Sequence, residues 1–219
     1  YIVPTPIGNL KDITLRALEV LESVDFILCE DTRTSSNLLR HFNIDKKTFA
    51  FHQHNEHKIV DSLVERIRGN NVALISDAGT PGISDPAYLL VKACVNNSID
   101  VICLPGATAF VPAIVNSGLP SDSFYFHGFL PHKKGRIKDL EEIKSIRKTA
   151  VLYESPHRIL KTIEQIIEVF GENHQIALTR EISKIHEQTI RGSVLELKNH
   201  FENNQPKGEF VVVISPYKE

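Results

Sequence analysis

With 219 residues, 42% hydrophobic and 24% charged, the chain has the length for one large or two small globular domains and the composition to bury a core. Its 25 basic and 27 acidic residues leave a formal charge of -2, which counts against strong nonspecific nucleic-acid binding. No apolar run approaches a bilayer span and the opening YIVPTPIGNL lacks a secretory pattern, so a cytoplasmic protein with no membrane partner is expected.

Cys29, Cys94 and Cys103 are scattered through apolar stretches, which suits core positions in a reducing compartment and neither a disulfide framework nor a zinc motif. The chain has no methionine and begins at Tyr1, so its first strand is expected to be incomplete.

After the short apolar opening, Leu15, Leu18 and Leu21 recur at helical spacing over residues 12–23, with Asp12 placed as N-cap. Phe26 to Leu28 reads as a buried strand. Ile59, Leu63 and Ile67 mark a helix that stops at Gly69, and Val72 to Ser76 forms the next strand. Asp85 and Pro86 are placed as N-cap and first helical residue of a helix carrying Leu89, Leu90, Ala93 and Cys94. A strand over Val101 to Leu104, the turn Pro105-Gly106 and a helix through Phe110 and Ile114 complete this half. Such strand-loop-helix alternation predicts a mostly parallel sheet covered by helices.

The turn-rich stretch NSGLPS at 116–121 divides the chain into domains at 1–117 and 118–219. In the second, Phe124 to Phe129 and Ala150 to Tyr153 read as strands around a helix with Ile137, Leu140, Ile143 and Ile146. Ser155 and Pro156 repeat the capping pair before a helix that ends at Gly171. Strands follow at 176–179, 188–191 and 210–214, with a short helix over 194–201.

In parallel α/β sheets, ligands sit beyond the carboxyl ends of the strands. TPIGN (5–9), DAGTPG (77–82) and PGAT (105–108) all occupy such ends and combine glycine or proline with small hydroxyl residues, which lets backbone approach a ligand closely. Turns of this composition also serve as plain connections, but three in one domain point to a ligand. No stretch fits the phosphate-binding patterns G-x-x-x-x-G-K-[ST] or G-x-G-x-x-G, so a ligand with little phosphate charge is favoured. EDTR (30–33), ESPHR (154–158) and the segments TRE and KIHE (179–187) are polar clusters at strand ends, each readable as a substrate contact or as ordinary capping and ion pairing. His52, His54 and His57 are dense enough for zinc but match no standard ligand spacing, so no metal is expected. HKKGRIK (132–138), with Lys144, Arg147 and Lys148, is a local basic patch: a solvated helix face or a seat for nucleic-acid phosphate.

Taken in order, TPIGNLKDIT, EDTRT, ISDAGTPGISDP, LPGATA, FHGFLP, YESPHRI, TREISKIHE and KGEFVVVI resemble the tetrapyrrole methylase superfamily, essentially end to end. EDTRT, YESPHR and REISKIHE resemble the branch that methylates the ribose 2'-hydroxyl of a cytidine in 16S rRNA rather than the porphyrin-modifying branches. The resemblance implies two α/β domains, the first with a mostly parallel and the second with a mixed sheet, and S-adenosylmethionine bound in a cleft between them. It implies cofactor contacts from Ile7, from Ala78, Gly79, Thr80 and Ile83, from Pro105, Gly106, Ala107, Thr108 and Ala109, and from Glu154. Thr80 stands where the superfamily's signature has aspartate, and Pro4 where relatives have a small residue.

Methyl transfer to a hydroxyl depends chiefly on alignment, aided by a base. On this resemblance Asp31 and Glu154 are the base candidates, and Arg33, Lys133, Lys134, Arg136, His157, Arg158 and Lys184 are expected to hold ribose or phosphate. The implied partner is 16S rRNA or the small ribosomal subunit, engaged by a homodimer. A methyltransferase of porphyrinoids or other small molecules would use the same cofactor loops, and a non-catalytic RNA-binding module would keep only the basic patch.

Overall fold

Residues 1–52 and 55–218 are described by the computed structural model, Lys58 through its backbone alone. By internal contacts they form two units, Tyr1–Thr108 and Ala109–Glu219.

In the first unit, β1 (Phe26–Cys29) and β3 (Val72–Ile75) are four-residue apolar runs buried along their whole length, as a strand covered on both faces must be. Together with β2 (Thr48–Ala50) they form a parallel sheet of order β2-β1-β3, and Ile2 continues it through parallel bridges to Leu74 and Cys103. Alternate side chains serve two cores. Phe26, Leu28 and Leu74 meet Leu63 and Ile67 of α3 (Glu56–Ile67) and Leu90 and Cys94 of α4 (Tyr88–Asn96). Ile27, Cys29, Ala73 and Ile75 meet Ala17 and Leu21 of α1 (Leu15–Ser23) and Leu39 of α2 (Thr32–His41).

Thr14, not Asp12, caps α1, its hydroxyl accepting from the Ala17 amide at 3.0 Å, because residues 10–12 wind into a separate 3-10 turn. Asp85 does not cap α4. Left-handed Gly82 and Ser84 turn the chain away before the helix starts at Tyr88, and the Asp85 carboxyl bonds Ser76 instead. Cys103 is exposed, because its bridge to Ile2 lies at the rim of the sheet.

The second unit holds a mixed sheet of order β4-β5-β8-β6-β7, built from β4 (Phe124–Phe129), β5 (Thr149–Glu154), β6 (Gln175–Arg180), β7 (Gln188–Ser193) and β8 (Phe210–Ile214). Only β4 and β5 run parallel, joined by the crossover helix α6 (Arg136–Ile146), so their carboxyl ends open at the same edge. With α7 (Ile159–Phe170) and α8 (Val194–Asn203), α6 covers one face over a core of Leu140, Leu152, Ile163, Leu178, Leu197 and Val212.

The other face lies against α5 (Phe110–Ser117), which buries Ala113, Ile114 and Ser117 and packs along β5, β6, β7 and β8. That packing moves the division between units to Thr108/Ala109, ahead of the turn-rich stretch at 116–121 where the sequence places it. Ser155 is not the N-cap of α7. A turn through residues 155–158 precedes the helix, and it is the Ser155 carbonyl that receives the Arg158 and Ile159 amides, each at 3.1 Å.

Candidate functional site

At the carboxyl ends of the first sheet, the three glycine-containing loops lock onto one another. Thr5 and Gly79 exchange backbone hydrogen bonds at 2.8 and 3.0 Å, and the buried Thr5 hydroxyl donates to the Ser76 carbonyl at 3.1 Å. Thr80 donates its hydroxyl to the Ala107 carbonyl at 3.1 Å, tying the second loop to the third. Two glycines make the approach close enough. Gly79 has φ +80°, and a Cβ there would meet Ile7 at 3.4 Å; a Cβ at Gly106 would lie 2.5 Å from the Pro4 ring. Pro4 and Gly106 are therefore complementary, which accounts for the proline at a position where a small residue was expected. Ile83 stands exposed at the far end of the second loop, held in a turn by its amide bond to the Thr80 carbonyl. Ala78, Pro105 and Gly106 are also exposed, Ala107 and Thr108 partly so. Ala109 precedes the first turn of α5 and belongs to the second unit.

Four carboxylates gather at the same strand ends and feel one another. Burial and the charge of Glu30 push the Asp85 carboxyl up to about 6. Glu30 and Asp77 are raised too, each first by burial; the charge of Asp77 adds to the rise at Glu30, and that of Asp31 to the rise at Asp77. Asp31 is the exception. It caps α2, receives the Arg33 guanidinium through Nη2 at 2.8 Å and Nε at 3.2 Å, and is held down at about 2 by that partner. A carboxylate so acidic is a weak proton acceptor, and Arg33 is engaged with it.

In the second unit Glu154 ends β5 with its side chain entirely buried and its acceptor positions filled. Arg136 reaches Oε2 at 3.1 Å, Thr162 donates to Oε2 at 2.7 Å, Arg158 reaches Oε1 at 2.8 Å, and the Ser155 amide donates to Oε1 at 2.8 Å. Arg136, read from the sequence as part of an exposed basic patch, is 2% exposed. Its other donors go to the Gln165 side chain at 2.7 Å, the Pro131 carbonyl at 3.1 Å and the Thr162 hydroxyl at 2.6 Å. Arg136 is the first residue of α6, and its side chain turns inward to neutralise the carboxylate that ends β5. The pair ties the loop after β4 to the loop after β5, and contact between Arg158 Nη1 and the His132 ring at 3.3 Å repeats the tie. Lys133, Lys134 and His157 remain exposed on these loops.

Lys184 bonds Glu181 of its own loop at 3.0 Å and Glu209, just before β8, at 2.9 Å, so it is already partnered. Of the histidines, His52 lies after β2 and His57 in α3, while His54 falls outside the described residues; among the described residues no group of three potential ligands could hold a metal. No helix among them is long and apolar enough to cross a membrane. Sequence reasoning passed over Asp85 as a site residue, assigning it to helix capping, and passed over Phe129 and Tyr153, whose rings lie 5.5 Å apart at the ends of the strands that lead into the basic loops. A glycine inside a strand, in FHGF, was the available signal for the latter.

Residues 1–198 match the family described as tetrapyrrole (corrin/porphyrin) methylases. The chain is similar to ribosomal RNA small subunit methyltransferase I of Vibrio cholerae, at 50% identity over 224 residues covering 100% of this chain and 77% of that protein. The protein of the same name from Escherichia coli O157:H7 is 48% identical over 223 residues, covering 100% and 78%. In structure it is similar to diphthine synthase, with a TM-score of 0.74 at 15% identity, covering 97% of this chain and 88% of that one; at that identity the likeness speaks for the fold.

Proposed function

Because this chain belongs to the tetrapyrrole methylase family, and its relatives named ribosomal RNA small subunit methyltransferase I align with it from end to end, we propose that it methylates the ribose 2'-hydroxyl of a cytidine in 16S rRNA with S-adenosylmethionine. The observation that carries this reading is identity near one half sustained over the entire chain, which includes the strand-end loops of both units.

S-adenosylmethionine, when bound, supplies a methyl group already activated by its sulfonium. The residues present fit such a group. Ile7, Ala78, Gly79, Thr80, Ile83 and Pro105 to Ala109 offer backbone and small side chains, and the Thr80 hydroxyl fixes the spacing of two loops where the superfamily has a carboxylate. Glu30, Asp77 and Asp85 carry raised proton affinities through burial and the charge of neighbouring carboxylates, a field that favours a cationic ligand. Asp85 also has the proton affinity suited to a base near neutral pH, whereas Asp31 holds Arg33 for the substrate and Glu154 holds Arg136 and Arg158 in place.

Lys133, Lys134, His157 and Arg158 take the RNA backbone, with Lys184 stiffening the loop after β6. The chain works in the cytoplasm as a homodimer, a reading supported by Val111 and Val115, one turn apart and exposed on α5. Sedimentation of the purified chain tests the dimer.

The function is tested by transfer of labelled methyl to small subunits, whole ribosomes and free rRNA, with the modified nucleotide mapped. Label on the 2'-oxygen of one cytidine is expected. Label on a base, or only on a porphyrinoid, would overturn the reading.

A further inference from the structure

We propose that Phe129, backed by Tyr153, is a stacking platform for an unpaired base of the RNA substrate, a proposal that rests on the RNA methyltransferase reading above. It starts from a fault in the strand. Phe126 and Phe129 are three residues apart, so a regular pleat would send them to opposite faces. The pairing of β4 with β5 shifts register between Phe126 and Gly128, and Gly128 takes φ +78°, a bulge that adds one residue and returns Phe129 to the face of Phe126. Leu130 then points into the core on the opposite face, 1% exposed.

The consequence is a row of rings along one face. Phe110, the first residue of α5, stacks at a tilt on Phe126 with centroids 4.7 Å apart; Phe126 meets Tyr153 edge-on at 5.2 Å, and Tyr153 meets Phe129 at 5.5 Å. At its strand-end limit the row is uncovered, and Phe129 is 51% exposed. A phenylalanine with half its surface in water gains little for the fold by being re-aimed there, whereas bulges recur where a side chain is turned toward a ligand.

The setting selects the occupant. The chain runs directly from Phe129 into the loop that exposes His132, Lys133 and Lys134, and from Tyr153 into the loop that exposes His157 and holds Arg158. The two loops are fastened by the Arg158–His132 contact and by the buried Arg136–Glu154 pair. An aromatic face rimmed by cations is the combination that holds single-stranded RNA, rings against bases and cations against phosphates. It also fits the near-neutral chain, since stacking needs no net charge.

The test uses the whole 219-residue chain, which contains no tryptophan. Phe129→Trp therefore places a single reporter on the platform, and a short cytidine-containing oligoribonucleotide is expected to quench its fluorescence saturably while inorganic polyphosphate does not. In methyl transfer to small subunits, Phe129→Ala and Phe129→Leu are expected to raise KM for the subunit about ten- to a hundredfold, with KM for S-adenosylmethionine unchanged and activity kept by Phe129→Tyr. A merely structural phenylalanine would be replaced well by leucine. Full activity of Phe129→Leu, absence of quenching by oligonucleotide at concentrations where its anisotropy shows it bound, or a changed sedimenting mass for Phe129→Ala would each overturn the platform. Failure of the wild-type chain to methylate any RNA would instead overturn the underlying function, and the quenching experiment distinguishes the two.

Discussion

The two sets of strand-end loops are held together by opposite means. In the first unit the links are made by backbone and hydroxyls: Thr5 with Gly79, Thr80 with the Ala107 carbonyl, and Gly106 against Pro4. Carboxylates crowd there: Glu30, Asp77 and Asp85 all have raised proton affinity, first by burial, with the charge of Asp77 adding at Glu30 and those of Glu30 and Asp77 adding at Asp85. In the second unit the links are side chains around one buried carboxylate, and Glu154 is fully satisfied by Arg136, Arg158, Thr162 and the Ser155 amide. The first arrangement leaves acceptors for a compact cation; the second uses up its acid and leaves cations and rings facing outward. On the function proposed above, the methyl donor belongs to the first set of strand ends and the RNA to the second.

The largest break in this contrast is expected from Gly106→Val. Its side chain cannot enter the space held by Pro4, so the third loop must shift, and loss of S-adenosylmethionine binding by calorimetry is expected, about a hundredfold or more, with RNA affinity retained. Next comes Arg136→Met, which leaves the buried Glu154 with one cation, Arg158, in place of two. Stability of the second unit should fall by about 3–5 kcal/mol in denaturant unfolding, where an exposed Lys133→Met should cost less than about 0.5 kcal/mol. Thr80→Val keeps the shape and removes one bond between loops, so cofactor affinity is expected to drop about fivefold, in line with a net hydrogen bond of about 1 kcal/mol.

The smallest effect sharpens the electrostatic side. Asp85 binds its proton more tightly in the fold than its ordinary value of 3.8 allows, so its contribution favours the fold below about pH 4 and is lost as pH rises through about 6. Asp85→Asn should therefore raise the melting temperature at pH 7–8, and the gain should shrink toward zero by about pH 4. A gain independent of pH would remove the unneutralised carboxylate from the account.

Much of this was legible in the chain. Apolar runs and periodicity gave most of the alternation of strands and helices, though residues 101–104, read as a strand, make only a single bridge from Cys103 to Ile2; the three glycine loops stood out because backbone proximity demands particular residues. What escaped were features set by tertiary partners. α2 opens with the polar run TRTSSN and β2 spans three residues, so neither shows the repeated apolar positions that mark the other elements. Asp85 and Ser155 sit before prolines in the pattern of helix caps, yet one bonds Ser76 and the other serves through its backbone. Arg136 looked like its lysine neighbours because nothing local shows that Glu154, eighteen residues on, is buried. Side-chain identity reports charge; it does not report which way the charge points.

The division between methyl donor and RNA is tested most directly by two-substrate kinetics of methyl transfer to small subunits, with Thr80→Val compared against the double variant Lys133→Ala and Lys134→Ala. Thr80→Val is expected to raise KM for S-adenosylmethionine alone, and the lysine variant to raise KM for the subunit alone. If either variant moved both constants together, or if the lysine variant left KM for the subunit unchanged, the assignment of the two strand ends would be contradicted.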